Sequence, residues 1–167
     1  MISEQVRQDY PAAAALEQHS GSWITDAVVH AGQLTLMVEP GAVLDICRFL
    51  KDSRGYRLSG ISGVDWHPVE PRFEVVHLLH SIERKERLRL KCRLHGENAS
   101  VPSVTSVWEG ASWYERETFD LFGITFTGHP NLTRIMMPDY WDGHPLRKDF
   151  PVHGHRYSYS EEGNPVL

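Results

Sequence analysis

Four prolines, Pro130, Pro138, Pro145 and Pro151, divide the last third of this chain into pieces too short for regular structure beyond a turn or two. The same stretch carries Leu132, Ile135, Met136, Met137, Tyr140, Trp141, Leu146 and Phe150. A solvated coil would leave those side chains in water, so disorder fits the segment poorly. Long irregular segments of this kind serve function. The expectation is an extended arm that buries its apolar side chains along a partner's surface.

A helix leads into the arm. Residues 113–122 place Tyr114, Thr118, Leu121 and Phe122 on one face at i, i+4, i+7, i+8 spacing. Ser112 and Glu115 form the S-x-x-E pattern of a capping box at its start. Gly123 supplies the left-handed residue at its end. Asp120 falls in the last turn, where the helix dipole opposes an anion. It is therefore expected to take a cation from Arg116, Arg134, Arg147 or Lys148. A shorter helix is expected over residues 104–108, between Pro102 and Gly110.

Upstream, residues 4–19 read as a helix in which Pro11 marks a break or a second start. Residues 23–30 and 34–39 read as strands joined by Ala31-Gly32-Gln33, a turn of hairpin length. Residues 43–51 have the periodicity of a helix lying on a sheet. Residues 56–64, 73–81 and 88–95 follow as three further strands. Val75, His77 and Leu79 alternate with Val76, Leu78 and His80, so one strand carries His on both faces. The order helix–strand–strand–helix–strand–strand–strand gives an α+β fold of two layers, with helices on one face of a sheet. A C-terminal helix and the long extended arm complete it. The polar break Glu97-Asn98-Ala99-Ser100 sets the division: residues 1–97 as the two-layer domain, 98–167 as short helices plus arm. At 167 residues this is one domain with an appended segment.

Composition excludes several classes of function. Seventeen basic residues against 22 acidic ones, a net charge of −5, argue against a nucleic-acid binder. The basic run Arg84–Lys91 alternates with apolar residues in its second half and reads as a strand with one solvated face. Cys47 and Cys92 are far apart and lack metal-site spacing, so they read as buried thiols in a reducing compartment. The N-terminus lacks the order of a signal peptide, and no apolar run is long enough to span a bilayer. Four of the ten His (His129, His144, His153 and His155) lie in the arm. Two of them sit in matching Gly-His-Pro triplets that read as turn chemistry, and no HExxH pair exists. Glu115, Glu117 and Asp120 could form an acid/base set, but the neighbouring cations suit an ion-pair network better. No phosphate-binding glycine motif and no nucleophile elbow occur. The residues by themselves form no active site.

Three motifs carry a family resemblance: Glu115-Arg116-Glu117-Thr118-Phe119-Asp120-Leu121-Phe122-Gly123-Ile124; Gly128-His129-Pro130-Asn131-Leu132 with Arg134-Ile135 and Pro138; and Gly143-His144-Pro145-Leu146-Arg147-Lys148-Asp149-Phe150-Pro151. In that order, preceded by Val101-Pro102-Ser103-Val104, they closely resemble the signature of the C subunit of bacterial NADH:quinone oxidoreductase, respiratory complex I. The resemblance covers the last third in detail and the first ~95 residues only in element order and size. It implies a subunit of the hydrophilic arm without a cofactor of its own, packed against a large subunit that helps form the quinone site. Flavin and iron–sulfur clusters would lie in partner subunits. The chain would be peripheral on the cytoplasmic face of the inner (plasma) membrane, reaching it only through partners. No fused large-subunit domain follows, so that partner is expected as a separate chain, and the tail at 157–167 has no assigned motif.

Under that resemblance Trp113, Phe119, Phe122, Tyr140, Trp141 and Phe150 are the expected aromatic anchors of a partner interface. Glu115, Arg116, Glu117, Asp120, Arg134, Arg147 and Lys148 are expected to fix its register by charge-assisted bonds. No catalytic, cofactor-binding or metal-binding residue is assigned. A membrane-bound hydrogenase or a ferredoxin-fed photosynthetic complex offers the same role in a different machine. A stand-alone enzyme using the arm's His residues and a metal is the alternative from another class.

Overall fold

The computed structural model of the protein describes residues 2–96 and 98–151. Its elements run α1 (Glu4–Asp9), α2 (Pro11–Ser20), β1 (Ile24–His30), β2 (Gln33–Val38), α3 (Val43–Arg54), β3 (Arg57–Asp65), β4 (Phe73–Ser81), β5 (Glu86–Leu94), β6 (Ser100–Pro102), α4 (Ala111–Phe122) and β7 (Thr125–Thr127). Short 3-10 turns precede β1 and α3. Pro11 does start a second helix: the residue before a proline avoids the α region, and Tyr10 sits at φ −129°, ψ 83° between α1 and α2.

The sheet is mixed, in the order β1-β2-β5-β4-β3. Its neighbours are antiparallel except β2 and β5, which pair in parallel, Leu34 opposite Leu88 and Leu36 opposite Leu90. A hairpin (β1–β2) and a meander (β3–β4–β5) are thus joined through the crossover helix α3. Paired residues share a face. Ala27, Leu36, Leu90, His77 and Ile61 form a row across all five strands, beside the row Cys92, Val75 and Gly63. These rows face the helices, whose Ala12, Ala13, Leu16, Ile46, Cys47 and Leu50 belong to the same core. The α+β architecture read from the sequence is the one found. Both cysteines are buried free thiols, as expected, with burial pushing each well above its ordinary pKa.

Beyond the sheet the chain forms a second, two-stranded parallel pair, β6 with β7, Val101 opposite Phe126. Val101, Val104, Ala111, Ile124 and Phe126 join the main core. Two local expectations fail here. Residues 104–108 make a single turn, with Val107 N and Trp108 N both donating to Val104 O at 3.0 and 2.9 Å, and no helix continues from it. Helix α4 begins at Ala111 with Gly110 as its N-cap and no side-chain cap, so the capping box Ser112/Glu115 does not form. Tertiary bonds to Glu115 outcompete the local one.

Candidate functional site

Glu115 points inward from α4 and is fully buried. Its Oε2 accepts from Ser103 Oγ and its Oε1 from Val104 N, both at 2.7 Å. Burial pushes its pKa up, and the two hydrogen bonds offset only part of that rise. The carboxyl ties α4 to the turn after β6, where a polar side chain satisfies backbone that no helix takes up.

Five residues on, Asp120 is also fully buried. Its Oδ2 accepts from three successive amides of the arm, Ile135 N at 2.9 Å, Met136 N at 2.7 Å and Met137 N at 2.8 Å. Its Oδ1 lies 2.5 Å from Arg134 Nη1. Burial alone raises a carboxyl pKa, but these donors outweigh it and hold Asp120 below its ordinary value. Of the four candidate cations, Arg134 is the partner. Arg116 instead donates to the carbonyls of Thr133 and Arg134, at 3.1 and 3.0 Å, which shapes the same bend from outside.

The arm also caps the helix it follows. The last carbonyls of a helix lack intrahelical partners. Here His144 Nδ1 lies 2.8 Å from Asp120 O, Leu146 N donates to Leu121 O at 3.0 Å, and Arg147 Nε to Phe122 O at 2.6 Å. Gly123 ends the helix at φ 73°, as read from the sequence, with its amide on Phe119 O at 2.8 Å. A Cβ at Gly123 would come within 2.5 Å of His144 Nε2. Glycine is therefore required twice, for the backbone angle and for the approach of the arm.

A latch then joins the arm to the sheet. Arg72, just before β4, donates to Asp65 Oδ1 and Oδ2 at 2.9 and 2.8 Å and to both oxygens of Asp149 at 2.9 and 2.7 Å. Lys148 N donates to Asp65 Oδ2 at 2.8 Å. Burial raises the Asp65 pKa, but Arg72, Lys148 N and His67 N together hold it far below the carboxylate range. The guanidinium carbons of Arg72 and Arg147 lie 4.8 and 5.2 Å from the centre of the Phe73 ring.

The residues singled out from sequence thus separate by direction. Glu115, Arg116, Asp120, Arg134 and Arg147 make bonds within the chain. Phe119 and Phe122 pack against the core, Phe119 edge-on to His144 at 6.3 Å. Trp141 stacks on Phe150 at 6.3 Å. Trp113 and Tyr140 stand out at 63 % and 81 % exposed, joined by Met136 and Leu146. Glu117 and the Lys148 side chain are exposed as well. The roles of Asp65, Arg72 and Ser103 were not foreseen: the partners that tie them to the arm or to α4 lie 83, 77 and 12 residues away, beyond any local pattern.

His129 and His144 serve as local fasteners; His129 accepts from Asn131 N and meets Ser112 Oγ. His153, His155 and the segment 157–167 lie outside the described residues. Among the described residues no cluster of three or more His, Cys, Asp or Glu could hold a metal, and no helix is long and apolar enough to cross a membrane.

A family model described as respiratory-chain NADH dehydrogenase, 30 Kd subunit, matches residues 36–156. The NADH-quinone oxidoreductase C subunit of Roseiflexus castenholzii (strain DSM 13941 / HLO8) is 51 % identical over 124 residues, covering 72 % of this chain and 71 % of its own length. The protein of that name from Geobacter sulfurreducens (strain ATCC 51573 / DSM 12127 / PCA) is 45 % identical over 145 residues, covering 86 % and 90 %. Among solved structures, a trypsin-resistant fragment (1-134) of Nqo5 superposes with a TM-score of 0.64 at 28 % identity, over 72 % of this chain and 98 % of the fragment. A chain of the membrane-bound sulfane sulfur reductase, an archaeal respiratory membrane complex, gives 0.72 at 25 % identity, over 87 % and 86 %. With its motifs folded into one braced unit and its sequence matched over most of its length, the chain belongs to the respiratory-chain NADH dehydrogenase 30 kDa subunit family.

Proposed function

We propose that this chain is a non-catalytic assembly subunit of a proton-translocating NADH:quinone oxidoreductase, peripheral to the membrane and docked against the large subunit near the quinone site. In this reading flavin and iron–sulfur clusters belong to partner subunits, and the complex lies on the cytoplasmic face of the inner (plasma) membrane. One observation carries the proposal. Of the three carboxylates that could form an acid/base set, Glu115 and Asp120 are bonded within the chain, Asp120 to Arg134, while Glu117 and large apolar side chains stand outside on the shape they hold. Trp113 and Glu117 lie one turn apart on the exposed side of α4, with Tyr140, Met136 and Leu146 on the arm. Exposed aromatics on a rigid frame are the residue types that anchor interfaces. Trp141, Phe150 and the Lys148 side chain would flank that contact.

The test is to tag the chain in its host, solubilise membranes gently and identify what co-purifies. A flavin and iron–sulfur assembly that reduces quinone with NADH supports the proposal. A lone chain would sink it. The likeness to a chain of the sulfane sulfur reductase supports a second reading, the same docking role in a related machine such as a membrane-bound hydrogenase or a ferredoxin-fed photosynthetic complex. Hydrogen activity with a nickel–iron subunit would mark the hydrogenase.

A further inference from the structure

The face of the sheet turned away from the core carries charge opposite to that of the whole protein. Val28, Thr35, Arg89, Leu78 and Gly60 pair in a row across all five strands, and Arg87, His80 and Arg57 in the row beside it. Arg87, Arg89, Lys91 and Arg93 alternate along β5 on this face. Lys91 is neutralised by Glu74 at 2.8 Å, with Arg93 3.9 Å from the same carboxylate. No carboxylate among the described residues pairs with Arg57, Arg87 or Arg89. The Nε of Arg89 is buried without a hydrogen-bond partner. A groove of about 500 Å³ runs here, lined by Gln33, Ser59, Leu78, His80, Arg87 and Arg89 among others. Val28 and Leu78 flank the arginines at 49 % and 39 % exposed.

This arrangement is costly in the isolated chain. Three unpaired cations crowd one patch, and a desolvated donor is left without an acceptor. Carboxylates relieve both. Arg presents a planar fork that matches a carboxylate in two bonds, which Lys does not. Alternate residues of a strand recur about every 6.6 Å, the repeat at which an extended segment presents alternate side chains. A nucleic acid fits less well: the groove lining has no Phe, Tyr or Trp on which a base could stack.

We infer that this sheet face, centred on Arg87, Arg89 and Leu78, seats an extended polypeptide segment carrying Asp or Glu at alternate positions. That the segment belongs to a partner subunit rests on the assembly role proposed above; the anion-seeking surface itself does not.

The test uses the full chain and a short fluorescent peptide of alternating Glu and Val, read by anisotropy at low salt. Saturable binding is expected, with a Kd raised at least about tenfold in R87S/R89S and by added salt. R48S, at an exposed arginine of α3, should bind as the wild type does, and a Gln–Val peptide should not bind. Circular dichroism and the thermal midpoint of R87S/R89S check that the variant is folded. Equal binding by R87S/R89S, or no saturable binding by the wild type, overturns the inference. So does a single-stranded oligonucleotide of equal charge that binds more tightly than the peptide and is lost in the same variant. Failure of the assembly role reads out separately, as a wild-type chain that purifies alone yet still binds the peptide.

Discussion

The carboxylate of Asp120 lies 2.5 Å from the guanidinium of Arg134, with the acid fully buried and the base 19 % exposed. The pair closes a bend whose three following amides converge on the acid's other oxygen. Asp120→Asn keeps the shape but must turn an NH2 group towards either Arg134 or the three amides. A loss of about 3–5 kcal/mol is expected, the cost of breaking a buried ion pair from one side. Urea denaturation measures it, and limited proteolysis should cut within 133–148 in the variant first. A wild-type unfolding midpoint would refute the role given to this pair.

Glu115 responds differently, because no cation faces it among the described residues. Glu115→Ala leaves Val104 N without an acceptor and should cost about 1–3 kcal/mol. Glu115→Gln can still accept from Val104 and donate to Ser103 Oγ, so its loss should stay within about 1 kcal/mol at neutral pH. The folded carboxyl holds its proton to a higher pH than the unfolded one. Its stabilising contribution is therefore full below the unfolded pKa and is lost as pH rises through the folded value. Stability against pH should flatten across that window in the Gln variant.

His77 sits in the sheet's core row with neither ring nitrogen bonded, and burial lowers its pKa from 6.5 to about 4. The unfolded chain binds the proton first. Stability from the neutral ring is thus complete above the ordinary value and is lost as pH falls through the window down to about 4. At most roughly 3 kcal/mol is at stake. His77→Leu should remove that acid-side slope and stabilise the protein at neutral pH by about 1–3 kcal/mol. Thermal melts at a series of pH values read both effects.

Gly123→Ala combines a left-handed backbone with a collision on His144. The backbone conformation alone costs about 1–2 kcal/mol. Displacing the arm should add to it, so a melting shift larger than that of Gly41→Ala, where a Cβ meets nothing, is the expected result.

The exposed aromatics give the opposite signature. Trp113→Ala with Tyr140→Ala should leave the isolated chain within about 0.5 kcal/mol of wild type. The amount of assembled complex recovered from membranes should fall. Undiminished assembly would remove these two side chains from the proposed docking surface.

Much of this architecture was legible because it is local. Gly123 ends α4, Pro11 starts α2, and the alternation along 88–94 separates a core face from a basic one. The parallel pairing of β2 with β5 was not, since each strand reads the same whichever neighbour it takes. The misplaced capping box has a physical cause: Ser103 and Val104 offer Glu115 a buried site worth more than a solvated N-terminus. Arg134 was among the cations named for Asp120, while the amide cluster was hidden because backbone donors leave no mark in a sequence. Asp65 and Arg72 carried no signal in the sequence, because Lys148 and Asp149 reach them from the other end of the chain.

The braced arm has a further consequence for hydrogen exchange. Irregular backbone ordinarily opens in isolated fluctuations and exchanges early. The amides of Ile135, Met136 and Met137 end on a carboxylate anchored in the last turn of α4. That turn's carbonyls in turn end on the arm. Opening one breaks the bonds of the other, so helix and arm are expected to open as one cooperative unit, with their amides exchanging together. The conformational freedom of this segment is surrendered when the monomer folds, and a docking event that follows need not supply that ordering again.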